Sequence, residues 1–449
     1  MLEVFQNHEA MKLLLIQPSF FLENGRLFRS RRRWLVGLTL PYLAALTPSE
    51  WEVQIVDERL EPVNFDGAYD LVGISFMSRN APRAFQIASR FRDKGVAVVM
   101  GGFHVSAMPG EALQYCDSVV VGEAETVWPE VLVDAKSGRL RPIYHADVFH
   151  DMKGLPVPRF DLLDLSRYKM PAVENFTPVQ TSRGCPFNCR FCEVTRFYGR
   201  TYRFRPIDEI IREILQLDTR SVYFVDDNIA ASRPRAEELF EALRPLKLNW
   251  TGLVNMFTCK DIDLLDLMVE SGCAHLNIGL ESINPGSLKE MNKRMNQVDD
   301  YALILRNLRK RGIFFSVNLV LGLDSDTTES FAETVTFLRR EKVPMSFMFI
   351  VTPRVGTALR EDLEKQGRLL SMDWSRYSGS ECVFQPTGFS PAELEAAFWR
   401  TYAQFYSLGS IIQRLIPTSL NRKTWMISMA SNLYFAWGVR RHRVPANFY

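Results

Sequence analysis

Twice along its length, this chain alternates short β-rich runs with segments of helical period, and that rhythm constrains its fold more than any other feature. Parallel strands need long crossover connections, and an intervening helix supplies one. The first series predicts strands at Lys12–Gln17, Trp51–Asp57, Leu71–Phe76, Ala97–Gly101 and Ser118–Val121, with its clearest helix over Ala81–Lys94. The second predicts strands at Pro178–Ser182, Val222–Val225, Asn249–Val254, His275–Ile278, Phe314–Leu321 and Ser346–Val351. Helical segments separate these, at Ile207–Leu217, Pro234–Leu243, Ile262–Glu270, Asp299–Arg311 and Ser330–Arg340. The first series reads as a doubly wound α/β sheet, the second as an incomplete barrel or an open doubly wound sheet. In either case chemistry belongs at the carboxyl ends of the strands.

A chain of 449 residues has room for two or three such units. We expect a Rossmann-like domain over 1–135, a proline-broken linker over 136–172, a barrel over 173–375 and a helical cap over 376–449. The first ten residues read as an extension. A formal net charge of +2 gives no argument for nucleic acid. No run of about 18 apolar residues predicts a transmembrane helix, and no secretory signal opens the chain. Seven cysteines, three of them within eight residues, do not form the pattern of a disulfide-stapled secreted domain. They point to a reducing cytoplasm and a cysteine-bound metal.

The stretch Cys185-Pro186-Phe187-Asn188-Cys189-Arg190-Phe191-Cys192 follows the first strand of the second series. Thiolates spaced four and three residues apart on a short loop can wrap one face of a 4Fe–4S cluster. Three ligands leave one iron open to a substrate. Structural zinc normally takes four ligands and a redox dithiol two cysteines.

In this motif and its surroundings the sequence resembles the radical S-adenosylmethionine (SAM) superfamily, and within it the large group with an N-terminal cobalamin-binding-type domain. That group includes anaerobic porphyrin ring cyclases and many carbon methyltransferases, and the resemblance runs from about Lys12 to Tyr406. It implies that SAM chelates the open iron and is cleaved reductively to methionine and a 5′-deoxyadenosyl radical. Four further segments resemble the superfamily's SAM contacts: Val225-Asp226-Asp227-Asn228, Gly279-Leu280-Glu281-Ser282, Leu321 to Thr327, and Thr352-Pro353-Arg354-Val355-Gly356-Thr357. The resemblance implies cofactor contacts at Phe191, Asp226, Asp227, Glu281, Ser282, Asn318 and Thr352.

In the first series, Val72-Gly73-Ile74-Ser75, Gly101-Gly102-Phe103-His104 and Val121-Gly122-Glu123 resemble the same group's cobalamin-type domain. Cofactor contacts are implied at Arg59, Ser75, Gly101, Gly102, Gly122 and Glu123, with the glycines giving room for a large flat ligand. Many cobalamin binders carry Asp-x-His-x-x-Gly, whose histidine ligates cobalt. Here the stretch reads Asp57-Glu58-Arg59-Leu60-Glu61-Pro62, and a guanidinium is a very poor metal ligand. His104, in a glycine turn, is expected to pack or hydrogen-bond rather than ligate.

Cys116, Cys259, Cys273 and Cys382 are expected to be buried apolar residues, which leaves a single cluster. The basic run Arg29, Arg31, Arg32 and Arg33 is expected to be solvated. The aromatic, basic tail from Ile411 to Arg443 leaves two roles open: a lid packed on the barrel, or a helix lying in a membrane interface. The reading is an enzyme that methylates an unactivated carbon of a hydrophobic small molecule, fed by an electron donor such as flavodoxin or ferredoxin. Non-methylating radical chemistry without cobalamin (cyclisation, carbon–carbon coupling or aminocarboxypropyl transfer) is the alternative. A SAM- or cobalamin-sensing binding protein is the reading from another class. A cytoplasmic location, with peripheral membrane contact through the tail, completes the expectation.

Overall fold

The computed structural model describes residues 10–169, 175–416 and 422–445. The expected N-terminal extension falls largely outside them. The chain divides into two compact units, the first built from most of the residues up to Arg167 and the second from Tyr168 onward.

The first unit holds six parallel strands: β1 (Met11–Gln17), β2 (Trp51–Asp57), β3 (Leu71–Ser75), β4 (Ala97–Gly101), β5 (Ser118–Val121) and β6 (Ile143–His145), in the order β2-β1-β3-β4-β5-β6. Leu13 to Ile16 are wholly buried, as a strand covered on both faces requires. The Ala81–Arg92 helix turns Ala84, Ile87, Ala88 and Phe91 inward, at helical spacing. β6 lies in the stretch read as linker. Three residues carry no readable period, and this strand exists only by pairing with β5.

The second unit begins with β7 (Thr177–Val179) and a short antiparallel hairpin of β8 (Ser182–Gly184) and β9 (Tyr202–Phe204), which the sequence did not announce. β10 (Ser221–Phe224), β11 (Asn249–Asn255), β12 (Cys273–Glu281), β13 (Phe314–Leu321) and β14 (Met345–Ile350) follow, each after a helix. The parallel sheet runs β14-β13-β12-β11-β10-β7 and leaves an edge at either end. It is the open form of a β/α barrel. The apolar faces of the Ile207–Gln216, Arg233–Leu243, Ile262–Glu270, Val298–Lys310 and Thr328–Arg340 helices share one core with it.

Three C-terminal helices, Pro391–Phe405, Leu408–Leu415 and Arg422–Val439, pack at the β14 end. Ser390 and Glu393 form a capping box that starts the first of them. The hydroxyls of Tyr402 and Tyr406 each accept from a backbone N–H of β14 and donate to a backbone carbonyl of the same residue. Tyr402 serves Met348 at 2.6 and 2.9 Å, and Tyr406 serves Ser346 at 3.3 and 2.8 Å. Two side chains four residues apart on a helix rise about 6 Å. Two residues on one edge of a strand rise about 6.6 Å. The tyrosine pair therefore stands in for a neighbouring strand. Below it Arg414, wholly buried, donates to the carbonyls of Val343, Pro344 and Phe405 and to Asn432 Oδ1. No described helix is long and apolar enough to cross a membrane.

Candidate active site

The carboxyl ends of β10 to β14 surround a cavity of about 500 Å³. The loop after β8 brings all three motif cysteines to it, and Phe191, Asp226, Asp227, Glu281, Asn318 and Thr352 also line it. Nine of the ten cluster and SAM contacts expected from sequence thus share one cavity. Ser282 does not. It is buried beside the cavity, and its hydroxyl accepts from Asn284 N at 3.0 Å. The Leu321–Thr327 segment contributes instead to a neighbouring cavity of about 230 Å³ through Gly322, Leu323 and Asp324, with Phe191 and Val351 common to both.

The cysteine loop is held from several sides. Asn292 Nδ2 donates to Asn188 O at 2.8 Å, Arg190 N to Met291 O at 3.1 Å, and Leu359 N to Arg190 O at 3.0 Å. Arg190 also pairs with Asp362. At the loop's start, Thr181 N and Oγ1 and Ser182 Oγ all donate to Asp226. Those donors occupy the buried Asp226 carboxylate, whose pKa burial nonetheless raises. Asp226 therefore fastens β10 to the loop. Asp227 is the more open of the two, with one bond from Gly184 N at 3.2 Å. Burial and the neighbouring Asp226 push its pKa up to about 6.

Glu281 reaches the cavity by an unusual backbone. The ladder slips between Gly279 and Glu281, and Glu281 sits at φ +69°. A non-glycine residue in the left-handed region costs on the order of 1–3 kcal/mol, and such strain collects at functional sites. Here it delivers the carboxylate to Lys293, and the two form a buried ion pair. A Cβ on Gly279 would lie 2.6 Å from Glu281 Oε1 and 2.8 Å from Lys293 Nζ, so glycine leaves space for the pair. Burial opposes the lysine's charge, but Glu281 and the nearby cysteines outweigh it, and its pKa lies above the ordinary value. Lys293 was not foreseen. It sits in Lys289-Glu290-Met291-Asn292-Lys293-Arg294, which reads as a solvated turn.

Burial pushes the thiols up, Cys185 to about 11 and Cys192 to about 12, with Cys189 raised for the same reason. Such thiols bind a metal as thiolates, releasing their protons to solvent as the cation takes their place. Among the described residues no three His, Cys, Asp or Glu converge on a point that a single metal ion would fill. The three thiols instead line a wider space, and a donor set of three sulfurs around a large cavity fits an iron–sulfur cluster. None of the seven cysteines is in a disulfide. Cys116, Cys259 and Cys382 are buried, and Cys273 is partly buried.

In the first unit the strand order reverses between β1 and β3, and ligands of doubly wound sheets bind at such a switch point. Ser75 ends β3 there, paired with Gly101 at the end of β4, and Gly102 follows. Gly122 and Glu123 follow β5, two strands from the switch point, and Glu123 accepts from His150 N at 2.8 Å. The glycines have an internal reason that the sequence reading missed. Gly102 sits at φ +101°, and a Cβ there would lie 2.7 Å from the Phe76 carbonyl oxygen. Arg59 is engaged by Asp57 through Nε and Nη2, both at 2.7 Å. The wholly buried Glu58 holds Arg83 and Arg29, so Arg29 of the basic run has internal partners. His104 is wholly buried, with Nδ1 3.2 Å from Ser78 Oγ and Nε2 3.0 Å from Glu111 Oε2. Both ring nitrogens are engaged, as expected for a packing role.

Residues 179–338 match the family described as the radical SAM superfamily, and residues 37–132 match the B12 binding domain. The chain belongs to the radical SAM superfamily and carries a B12-binding domain. This radical SAM protein is 29% identical over 436 residues to a bacteriochlorophyllide d C-12(1)-methyltransferase of Chlorobaculum tepidum, covering 94% of this chain and 93% of that one. It is 29% identical over 393 residues to a hopanoid C-2 methylase of Rhodopseudomonas palustris, covering 83% of this chain and 71% of the other. Among solved structures it shares its fold with the radical SAM methyltransferase TsrM of Kitasatospora setae, at a TM-score of 0.67 and 15% identity, covering 96% and 99% of the two chains.

Proposed function

We propose that this radical SAM protein transfers a methyl group to an unactivated carbon of a hydrophobic small molecule, with a 4Fe–4S cluster, SAM and cobalamin as cofactors. The observation that carries the reading is the meeting of Cys185, Cys189 and Cys192 at one cavity in a chain that also has a B12-binding domain. The names of the relatives, which act on bacteriochlorophyllide and a hopanoid, support methylation and an apolar substrate. When bound, the cluster would supply the electron that cleaves SAM, and cobalamin would carry the methyl group.

The chain's own residues bind, orient and exclude water. The three cysteines would hold the cluster. Asp227, with little else to do, offers a carboxylate to the SAM ammonium. Asn318 and Thr352 add polar contacts, and Phe187, Phe191 and Val254 keep the cavity wall apolar. The Lys293–Glu281 pair places a fixed cation beside the thiols. In the first unit, Ser75 at the switch point offers its hydroxyl to cobalamin. An electron donor of the flavodoxin or ferredoxin class would complete the reaction.

The test is anaerobic reconstitution. The protein should take up about four irons per chain and release deoxyadenosine from SAM when reduced. Replacing Cys185, Cys189 and Cys192 together by Ala should abolish both. Deoxyadenosine release by that variant would overturn the reading.

A further inference from the structure

The last two helices are apolar on the side that faces away from the core as well as on the side that faces it. Leu408, Ile412 and Ile416 stand at four-residue intervals along the Leu408–Leu415 helix and its end, and all three are exposed, Ile416 to 63%. Met426, Leu433, Tyr434 and Trp437 form a second exposed row on the Arg422–Val439 helix, which packs against the first. These seven are among only twenty exposed large apolar side chains in the described residues. Scattered singly, such residues need no explanation, but a cluster marks a surface that meets something. The opposite faces are spent on the fold, through Ile411, Arg414, Leu415, Asn432 and Phe435.

Charge indicates what the surface meets. From Ala396 to the last residue the sequence contains no Asp or Glu, yet it contains Arg400, Arg414, Arg422, Lys423, Arg440, Arg441 and Arg443. The chain as a whole balances 54 basic against 52 acidic residues, so this stretch is exceptional. Arg414 is internal, but Arg422, Arg440, Arg441 and Arg443 are exposed at the two ends of the last helix. Between them Trp437 stacks on Tyr434 at 6.0 Å and carries the Arg441 guanidinium 4.2 Å from its ring centre. An apolar row with Trp and Tyr, flanked by arginines and free of carboxylates, is complementary to the acyl–headgroup boundary of an anionic bilayer.

We infer that the outer face of these two helices docks on an anionic lipid bilayer, with Trp437 and Leu433 entering the interface and Arg440, Arg441 and Arg443 meeting the headgroups. The helices lie on the surface and do not span it, in keeping with their length and apolarity. The inference does not depend on the reaction proposed above.

The experiment is co-sedimentation of the full-length protein with vesicles of phosphatidylcholine alone, or of phosphatidylcholine and phosphatidylglycerol in equal parts. Binding should require phosphatidylglycerol and weaken as salt is added. Leu433→Ser, Tyr434→Ser and Trp437→Ser together should lower it more than tenfold. Because these side chains lie on the outer face, the variant should remain folded, with its melting temperature lowered by no more than about a few degrees. Replacing Arg440, Arg441 and Arg443 by Gln should cost roughly fivefold per charge, an arm that leaves the apolar face intact. Undiminished binding by both variants would overturn the inference, as would failure of the folded protein to bind anionic vesicles. A dimer dispersed by the serine variant, with no vesicle binding by the parent, would overturn it too and assign the face to a second copy of the chain.

Discussion

Lys293 and Glu281 show how much one buried charge pair can organise. Both line the cavity yet are largely shut off from solvent, so removing one leaves the other uncompensated, at a cost of about 3–5 kcal/mol. Lys293→Met should therefore destabilise the chain by that amount in urea denaturation. Lys293→Met combined with Glu281→Gln should recover a large part of the loss, because a neutral amide needs no cation. A double variant as unstable as the single one would show that the pair matters through packing alone. Glu281 was legible in the sequence because Gly279-Leu280-Glu281-Ser282 follows a predicted strand and resembles a SAM contact of the superfamily. Lys293 was not, because its burial depends on the turn through Asn292, at φ +54°, which folds a basic-looking segment back onto β12. Asp226 was legible as a site residue but not as a fastener. Its partners Thr181 and Ser182 lie more than forty residues away, and their approach needs the β7–β10 pairing first.

Among the elements, strands were legible where an apolar run of four residues or more stood out, which covers β1 to β5 and β10 to β14, while three-residue β7 was legible with its bounds displaced, as Pro178–Ser182. β6, β8 and β9, of three residues each, are made by their partners and not by local preference. The C-terminal helices were legible as aromatic and helical, and they do pack on the barrel. They do not form a lid, since no described residue beyond Gly379 lines the larger cavity. Their task at β14 is to occupy backbone groups that an edge strand would otherwise present to other chains. Replacing Tyr402 and Tyr406 each by Phe should cost about 1–3 kcal/mol per residue, because buried N–H and C=O groups lose their partners. Hydrogen exchange should then accelerate at the Met348 and Ser346 amides, with those of β12 little changed. Protection at Met348 and Ser346 equal to that of the parent would sink the edge-sealing account.

For the molecule as a whole, the two units divide the expected cofactor chemistry between two sheets, each with its own ligand end. The variant with all three motif cysteines replaced should still load cobalamin, because Ser75 and the switch point lie in the other unit. Electron paramagnetic resonance of the cob(II)alamin-loaded protein should show no nitrogen splitting from the chain. Arg59 is locked to Asp57, and both nitrogens of His104 are in use. Splitting that vanishes in His104→Ala would refute that assignment. The hydrogen bonds that hold the cysteine loop to Asp226, Met291, Asn292 and Leu359 involve no sulfur. A loop fastened in this way should keep its shape when oxygen strips its iron. Damage would then leave an intact cup in place of a frayed chain, and the cup could be refilled. The working life of such a molecule would be counted in rounds of repair, with each exposure to air costing iron and sulfide and sparing the polypeptide.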